Sequence, residues 1–238
     1  MGCNTSTTAS DPSHTISLAN PHNKKTLVIV GASIAGFTVG EYLWNDYNVV
    51  FVDQRDYFEY NPTSIKNAVD KEWVDTITIK YSDVVTGHGN KFQYIQATLV
   101  NVDKEGNTIE VKPAQGPKNQ KLAYDVLLLA TGFLYDAPVK QDGVFTLLDR
   151  KKGLHAFYDQ VQAAKNIAVV GGGVVGVELA GELAFLPNAS EKKIHLIVRG
   201  DKILKQVSPA AGTAAEEVLK KHKVNIHYNT EYTEAVKK

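Results

Sequence analysis

Thr26-Leu27-Val28-Ile29-Val30-Gly31-Ala32-Ser33-Ile34-Ala35-Gly36 is the stretch on which the fold turns. Its first five residues form an apolar, β-branched run that stops at glycine, the pattern of a strand buried on both faces of a parallel sheet. A helical stretch through Phe37, Val39, Tyr42 and Leu43 follows. In a strand–turn–helix of this kind the first glycine permits the tight turn and the last lets the helix pack against the strand. The middle position is ordinarily glycine, so that backbone can approach a pyrophosphate. Here it is Ser33, which still allows approach at some steric cost. The N–H groups at the helix start, with the positive end of its dipole, then cradle phosphate. A second apolar run, Asn48 to Val52, ends in Asp53, 22 residues past Gly31. A carboxylate there suits the ribose hydroxyls of a dinucleotide.

The pattern recurs 140 residues later. Asn166 to Val170 read as a strand, and Gly171-Gly172-Gly173-Val174-Val175-Gly176 carries all three glycines. A helix through Val177, Leu179, Leu183 and Ala184 breaks at Leu186-Pro187-Asn188, and Lys193 to Val198 make the next strand. Ser208-Pro209 supplies a cap and a first-turn proline for a helix reaching about His222. Lys220-Lys221-His222-Lys223 suits the negative end of that helix's dipole. A last strand spans Val224 to Tyr228. Between the two units, Phe92 to Val111 read as an antiparallel hairpin around Lys104-Glu105-Gly106-Asn107. Tyr124 to Leu129 form another buried strand, ending in Ala130-Thr131-Gly132. The expected class is α/β, with two Rossmann-like units on parallel sheets and an antiparallel hairpin insertion. The domains read as a flexible tail over 1–24, a first domain over 25–150 and a second over 151–238.

Composition narrows the function. With 238 residues, 43% hydrophobic and 22% charged, the chain can bury a sizeable core. Its 26 basic and 26 acidic residues cancel, which argues against nucleic acid as the main partner. No apolar run approaches the roughly 18 residues that span a bilayer. One cysteine leaves no internal disulfide, no Cys-rich metal site and no dithiol pair, and the seven histidines show no ligand spacing, so no metal is expected. The polar N-terminus lacks a secretory leader, so the sequons at Asn4 and Asn188 carry no weight. It does begin Met1-Gly2-Cys3-Asn4-Thr5-Ser6, the N-myristoylation pattern, with Cys3 placed for a palmitoyl group. One acyl chain anchors only marginally and two anchor stably. The location expected is cytoplasmic, peripheral on the cytosolic face of a membrane.

A glycine fingerprint with its acid, a strand ending in Ala-Thr-Gly, and a second fingerprint in that order resemble the two-dinucleotide flavoproteins. More narrowly, Val52-Asp53-Gln54-Arg55-Asp56-Tyr57-Phe58-Glu59 and Gly176-Val177-Glu178-Leu179-Ala180-Gly181-Glu182-Leu183 resemble the ferroptosis-suppressor branch of the apoptosis-inducing-factor-like proteins, with type II NADH dehydrogenases next. The resemblance runs from about residue 25 onward, and that branch also begins with a myristoylated glycine. It implies FAD in the first unit and NAD(P)H as substrate in the second. Gly31, Ser33 and Gly36 would hold the FAD pyrophosphate and Asp53 its ribose. Lys66 would stand near the flavin, and Thr131 and Gly132 at the crossing between the domains. Gly171, Gly173 and Gly176 would take the NAD(P)H pyrophosphate, with Glu178 on the nicotinamide side. Arg199 stands where an NAD enzyme is expected to place Glu or Asp, and can pair with the 2′-phosphate of NADPH.

What the resemblance implies chemically is hydride transfer from NAD(P)H to flavin. The disulfide-reductase Cys-x-x-x-x-Cys pair is missing, so electrons pass to a diffusible acceptor, a membrane quinone. Proteins of this type continue with a Gly-Asp strand returning to the flavin domain and then a covering domain. Neither is found before Lys238, so both units are expected to be incomplete. Two readings stay open. The chain is an NAD(P)H:quinone oxidoreductase, completed by a partner chain or dimer, or it is a truncated, non-catalytic nucleotide-binding or regulatory module.

Overall fold

The computed structural model describes residues 15–133 and 143–233. In chain order the elements are β1 (Thr26–Val30), α1 (Ile34–Leu43), β2 (Asn48–Asp53), β3 (Tyr57–Glu59), a 3-10 helix (Asn61–Ala68) and α2 (Trp73–Ile77). Then come β4 (Thr78–Lys80), α3 (Tyr81–Gly87), β5 (Phe92–Asp103), β6 (Thr108–Pro113), β7 (Gln120–Ala123) and β8 (Val126–Leu129). The remainder is α4 (Leu147–Ala163), β9 (Asn166–Val170), α5 (Val174–Ala184), a 3-10 turn (Ala189–Glu191), β10 (Lys193–Ile197), α6 (Pro209–Lys221) and β11 (Asn225–His227). Two compact units result, the first from residues 15–60, 78–133 and 143–147, the second from 61–77 and 148–233. Residues 61–77, which the sequence reading joins to the first domain, therefore pack with the second.

In the first unit six strands lie in the order β7-β6-β5-β2-β1-β8. The β5-β2-β1-β8 part is parallel, and β5-β6-β7 is antiparallel. Successive strand residues face opposite sides of a sheet, and here both sides are dry. Leu27, Ile29, Val49 and Phe51 face one way, with Tyr81, Val84 and Phe92. Val28, Val30, Val50 and Val52 face the other, with Ile109, Val111 and Leu122 of the hairpin. That two-sided burial is why β1 and β2 read as unbroken apolar runs.

The tail expected over residues 1–24 is docked from Thr15 onward. Ile16 N–H donates to Lys121 O at 2.9 Å, and Ile16 and Leu18 pack on the hairpin side of the core. The Ala19 backbone exchanges hydrogen bonds with the Gln93 amide at 2.9 and 2.8 Å. Gly2 and Cys3 lie outside the described residues. Among those described, no helix is long and apolar enough to cross a membrane.

The second unit repeats the motif on a three-stranded parallel sheet, β11-β10-β9. Val177, Ala180, Leu183 and Ala184 of α5 cover Val169, Ile194 and Leu196, with Leu219 of α6 completing the layer. Ser208 caps α6 by accepting from Ala211 N–H at 3.3 Å, Pro209 opens it, and Lys220 and Lys221 close it, as the sequence predicts. A link no local pattern announces is Lys192. Its buried ammonium donates to Val161 O, Gln162 O and Ala164 O at 3.0, 2.7 and 2.9 Å, the unsatisfied carbonyls at the end of α4. Replacing Lys192 by Met leaves those carbonyls unanswered. Urea unfolding should register a loss of about 1.5–3 kcal/mol, and a midpoint within error of wild type would show that water serves them equally well.

Candidate functional site

In the first unit the turn between β1 and α1 is built on two backbone approaches. Gly31 has a φ of +99°, and a Cβ there would lie 2.2 Å from Ala130 O. A Cβ on Gly36 would lie 1.9 Å from Gly31 O. Only glycine fits either place, so the end of β8, the turn and α1 are pressed together. Ser33 is the residue before α1, with φ −77° and ψ −165°, and its hydroxyl makes no cap hydrogen bond. Any residue adopts that conformation. The steric cost expected of Ser33 is therefore not a cost to the fold, and the first-turn N–H groups of α1 stay open to an anion.

Asp53 ends β2 and reaches this turn. Its Oδ2 accepts from Ala32 N–H at 2.9 Å and its Oδ1 from Arg55 N–H at 3.0 Å. Each oxygen keeps a second lone pair. Gly31, Asp53 and Thr131 together line a cleft of about 250 Å³, walled on its other side by Ala97, Thr98 and Leu99 of β5. Gly132 follows at φ +67°. Behind Asp53, Tyr81 and Tyr94 stack with ring centres 4.5 Å apart. Burial, and after it the Asp53 carboxylate, pushes both phenols far above their ordinary range, so both stay neutral. The Tyr94 hydroxyl donates to Arg55 O. Sequence reading missed this pair, whose only signal is an aromatic at each of two positions 13 apart.

In the second unit the glycine turn has the same frame. Gly171 has φ +118°, and a Cβ on Gly176 would lie 2.0 Å from Gly171 O. Gly173 precedes α5 with φ −80° and ψ −178°, close to Ser33, and no atom lies within 4 Å of where its Cβ would be. The loop after β10 folds back on this turn. Leu204 N–H donates to Gly172 O at 2.7 Å, and Lys205 pairs with Asp201 at 2.8 Å, holding that carboxyl below its usual range. Arg199 is exposed in this loop, with no ion pair among the described residues. Glu178 is exposed on α5, likewise without an ion pair.

Register refines the place of Arg199. Gly31 N–H donates to Val52 O at 2.8 Å and Gly171 N–H to Ile197 O at 2.9 Å, so the counterpart of Asp53 is Val198. Val198 is buried against Gly172 instead of offering a carboxylate. Arg199 lies one residue farther on. Lys66 belongs to the segment grouped with the second unit, and its ammonium stands 3.7 Å above the Trp73 ring. Thus the structure gathers Gly31, Ser33, Gly36, Asp53, Thr131 and Gly132 in one unit, and Gly171, Gly173, Gly176 and Arg199 in the other. Among the described residues no group of three or more His, Cys, Asp or Glu side chains could hold a metal.

Two strand–turn–helix units with uncapped helix starts, each on its own parallel sheet, define an α/β protein of two Rossmann-like units. The sequence model of the pyridine nucleotide-disulphide oxidoreductases matches residues 25–238, and the chain belongs to that family. Oxidoreductase ptaL of Pestalotiopsis fici is 30% identical over 224 residues, covering 89% of this chain and 59% of that protein. Ferroptosis suppressor protein 1 of Homo sapiens is 29% identical, over 81% of this chain and 49% of its own. The external alternative NAD(P)H-ubiquinone oxidoreductase B4 of Arabidopsis thaliana is 25% identical, over 87% and 41%. Among solved structures, NDH2 from Plasmodium falciparum in complex with NADH has the same fold, with a TM-score of 0.67, 20% identity and coverage of 87% and 48%. The chain thus spans about half the length of the relatives it matches.

Asp53→Ala tests the first turn directly. It removes the acceptor for two backbone N–H groups, so Ala32 amide exchange should quicken and stability fall by about 1–3 kcal/mol. Asp53→Asn, which keeps one acceptor oxygen, should lose less. Unchanged exchange at Ala32 in both variants would mean that the carboxylate does not hold the turn.

Proposed function

We propose that this chain is the dinucleotide-binding part of an FAD-dependent NAD(P)H:quinone oxidoreductase. The observation that carries the reading is the paired turn. Gly36 and Gly176 both sit where only glycine fits, and both helices present uncapped N–H groups at their start. The residues of the first unit fit FAD. Gly31, Ser33 and Gly36 leave the backbone open for its pyrophosphate, and the Asp53 carboxylate lines the adjoining cleft with lone pairs free for ribose hydroxyls. Thr131 lines that cleft with Gly132 following it, and the resemblance puts Lys66 near the flavin. Gly171, Gly173 and Gly176 take the NAD(P)H pyrophosphate, and Glu178 orients the nicotinamide.

When bound, the flavin supplies two-electron chemistry, accepting hydride from reduced nicotinamide and passing electrons to an acceptor. The chain's own part is to hold and orient. Asp53 keeps its turn rigid through Ala32 and Arg55, and Tyr81 and Tyr94 stay protonated beside it, adding no second negative charge near the carboxylate. A quinone as acceptor is supported by the name of one relative, the NAD(P)H-ubiquinone oxidoreductase of Arabidopsis thaliana, and attachment to a membrane through a Gly2 myristoyl and a Cys3 palmitoyl group by the N-terminal pattern. On this reading the protein sits peripherally on the cytosolic face of a membrane. Both lipid sites lie outside the described residues.

The decisive experiment is a visible spectrum of the purified chain followed by anaerobic NADPH. A flavin band that bleaches on addition supports the reading. A colourless protein that still binds NADPH would retire it in favour of a regulatory nucleotide-binding module. Arg199→Glu should weaken NADPH binding by about tenfold or more, roughly 1.4 kcal/mol, and leave NADH within a small factor. Equal losses for both would show that Arg199 does not meet the 2′-phosphate. Labelling with a myristate analogue should mark the wild type and not Gly2→Ala.

A further inference from the structure

Seven histidines lie scattered along the chain, and strand pairing brings two of them together. His195 stands on β10 and His227 on β11, 32 residues apart in sequence. The two strands run parallel, with His195 opposite Asn225 and Ile197 opposite His227. Side chains two apart on a strand share a face, so His195 and Ile197 of β10 stand on one side of the sheet with Asn225 and His227 of β11. Ile194 and Leu196, on the other side of β10, are buried in the core.

The two rings meet diagonally across their face. His195 Nδ1 lies 3.0 Å from His227 Nε2, with ring centres 5.2 Å apart and planes inclined by 31°. At that distance one nitrogen carries a proton and the other accepts it. Two imidazole nitrogens bound to one metal ion, each about 2.0–2.1 Å from it, stand about 2.9 Å apart at a right angle and about 3.4 Å apart in a tetrahedron. The observed separation is that of the right angle, the geometry of a square-planar or tetragonal ion. The χ2 torsion of histidine has a broad range, so a turn of each ring brings both lone pairs onto one point. Backbone fixes the strands that carry them. Val198 N–H donates to His227 O at 2.9 Å, and Thr230 N–H donates to Val198 O at 3.1 Å. His227 is exposed and His195 half-buried, so an ion can reach the pair from solvent.

We infer that His195 and His227 form a two-histidine site for a divalent transition-metal ion of tetragonal preference, Cu²⁺ before Ni²⁺ and Zn²⁺. Imidazole suits all three ions, and affinity for nitrogen ligands peaks at Cu²⁺. Zn²⁺ prefers the wider tetrahedral angle. The ion takes the place of the proton between the rings, and the ring that donated it carries its hydrogen on the other nitrogen. The remaining positions go to water, since among the described residues no group of three or more His, Cys, Asp or Glu side chains could hold an ion. A bound ion ties β10 to the three-residue β11, immediately before the loop that bears Arg199.

The test titrates the full chain with Cu²⁺, with Cys3→Ser in every protein so that no thiol reduces or binds the ion. One equivalent should give an electron paramagnetic resonance spectrum split by two imidazole nitrogens. His195→Ala and the exposed His227→Ala should each weaken binding by about tenfold or more, because a second ligand held on the same sheet acts at high effective concentration. Each should leave at most one nitrogen in the spectrum. His22→Ala, at an exposed histidine outside the pair, should change neither. A spectrum and affinity unaltered in both strand variants would mean an adventitious ion only and overturn the proposal. A loss of the two-nitrogen pattern in His22→Ala would overturn it as well.

Discussion

The close approach of a helix glycine to the carbonyl of the glycine that ends the preceding strand governs everything around it. With Gly36 held against Gly31 O, α1 cannot rise off the sheet, and its first turn is aimed at the mouth of β1 and β2. Asp53 reaches Ala32 only because that distance is short. The same approach at Gly176 and Gly171 sets α5, and the loop from Arg199 to Lys205 can fold onto Gly172 for the same reason. A methyl group at either helix glycine would have to displace backbone, and no rotamer could relieve it.

Much of this was legible in residue order, because apolar runs, glycines and caps act locally. The two fingerprints, the hairpin around residues 104–107 and the Ser208-Pro209 helix start all lie where pattern places them. Register was harder to read. From Gly31 to Asp53 a count of residues suffices, but the Leu186-Pro187-Asn188 break lengthens the second unit, and counting no longer says which residue of β10 faces the turn. Hydrogen bonds across β9 and β10 put Val198 there and Arg199 one step beyond.

Long-range partners were illegible for another reason. Nothing beside Lys192 says that its ammonium will find three carbonyls some 30 positions away, since that meeting depends on how α4 and β10 pack. Likewise Thr15 to Lys24 look like tail by composition, yet Ile16 and Leu18 are apolar in a polar stretch and find the hairpin side of the core. Two residues of the right kind were enough to order a segment whose average composition argues against it.

The twelve-residue β5 joins the parallel and antiparallel parts of its sheet, and its register shifts between Leu99 and Asn101. Ala97 to Leu99 wall the Asp53 cleft, while Val102 and Asp103 lead into the hairpin turn. The shift inverts which side chains face inward on either side of it. Val100 is the extra residue at the shift, so deleting it would straighten the ladder and leave Leu99 and Val102 on the covered face opposite Val111 and Ile109.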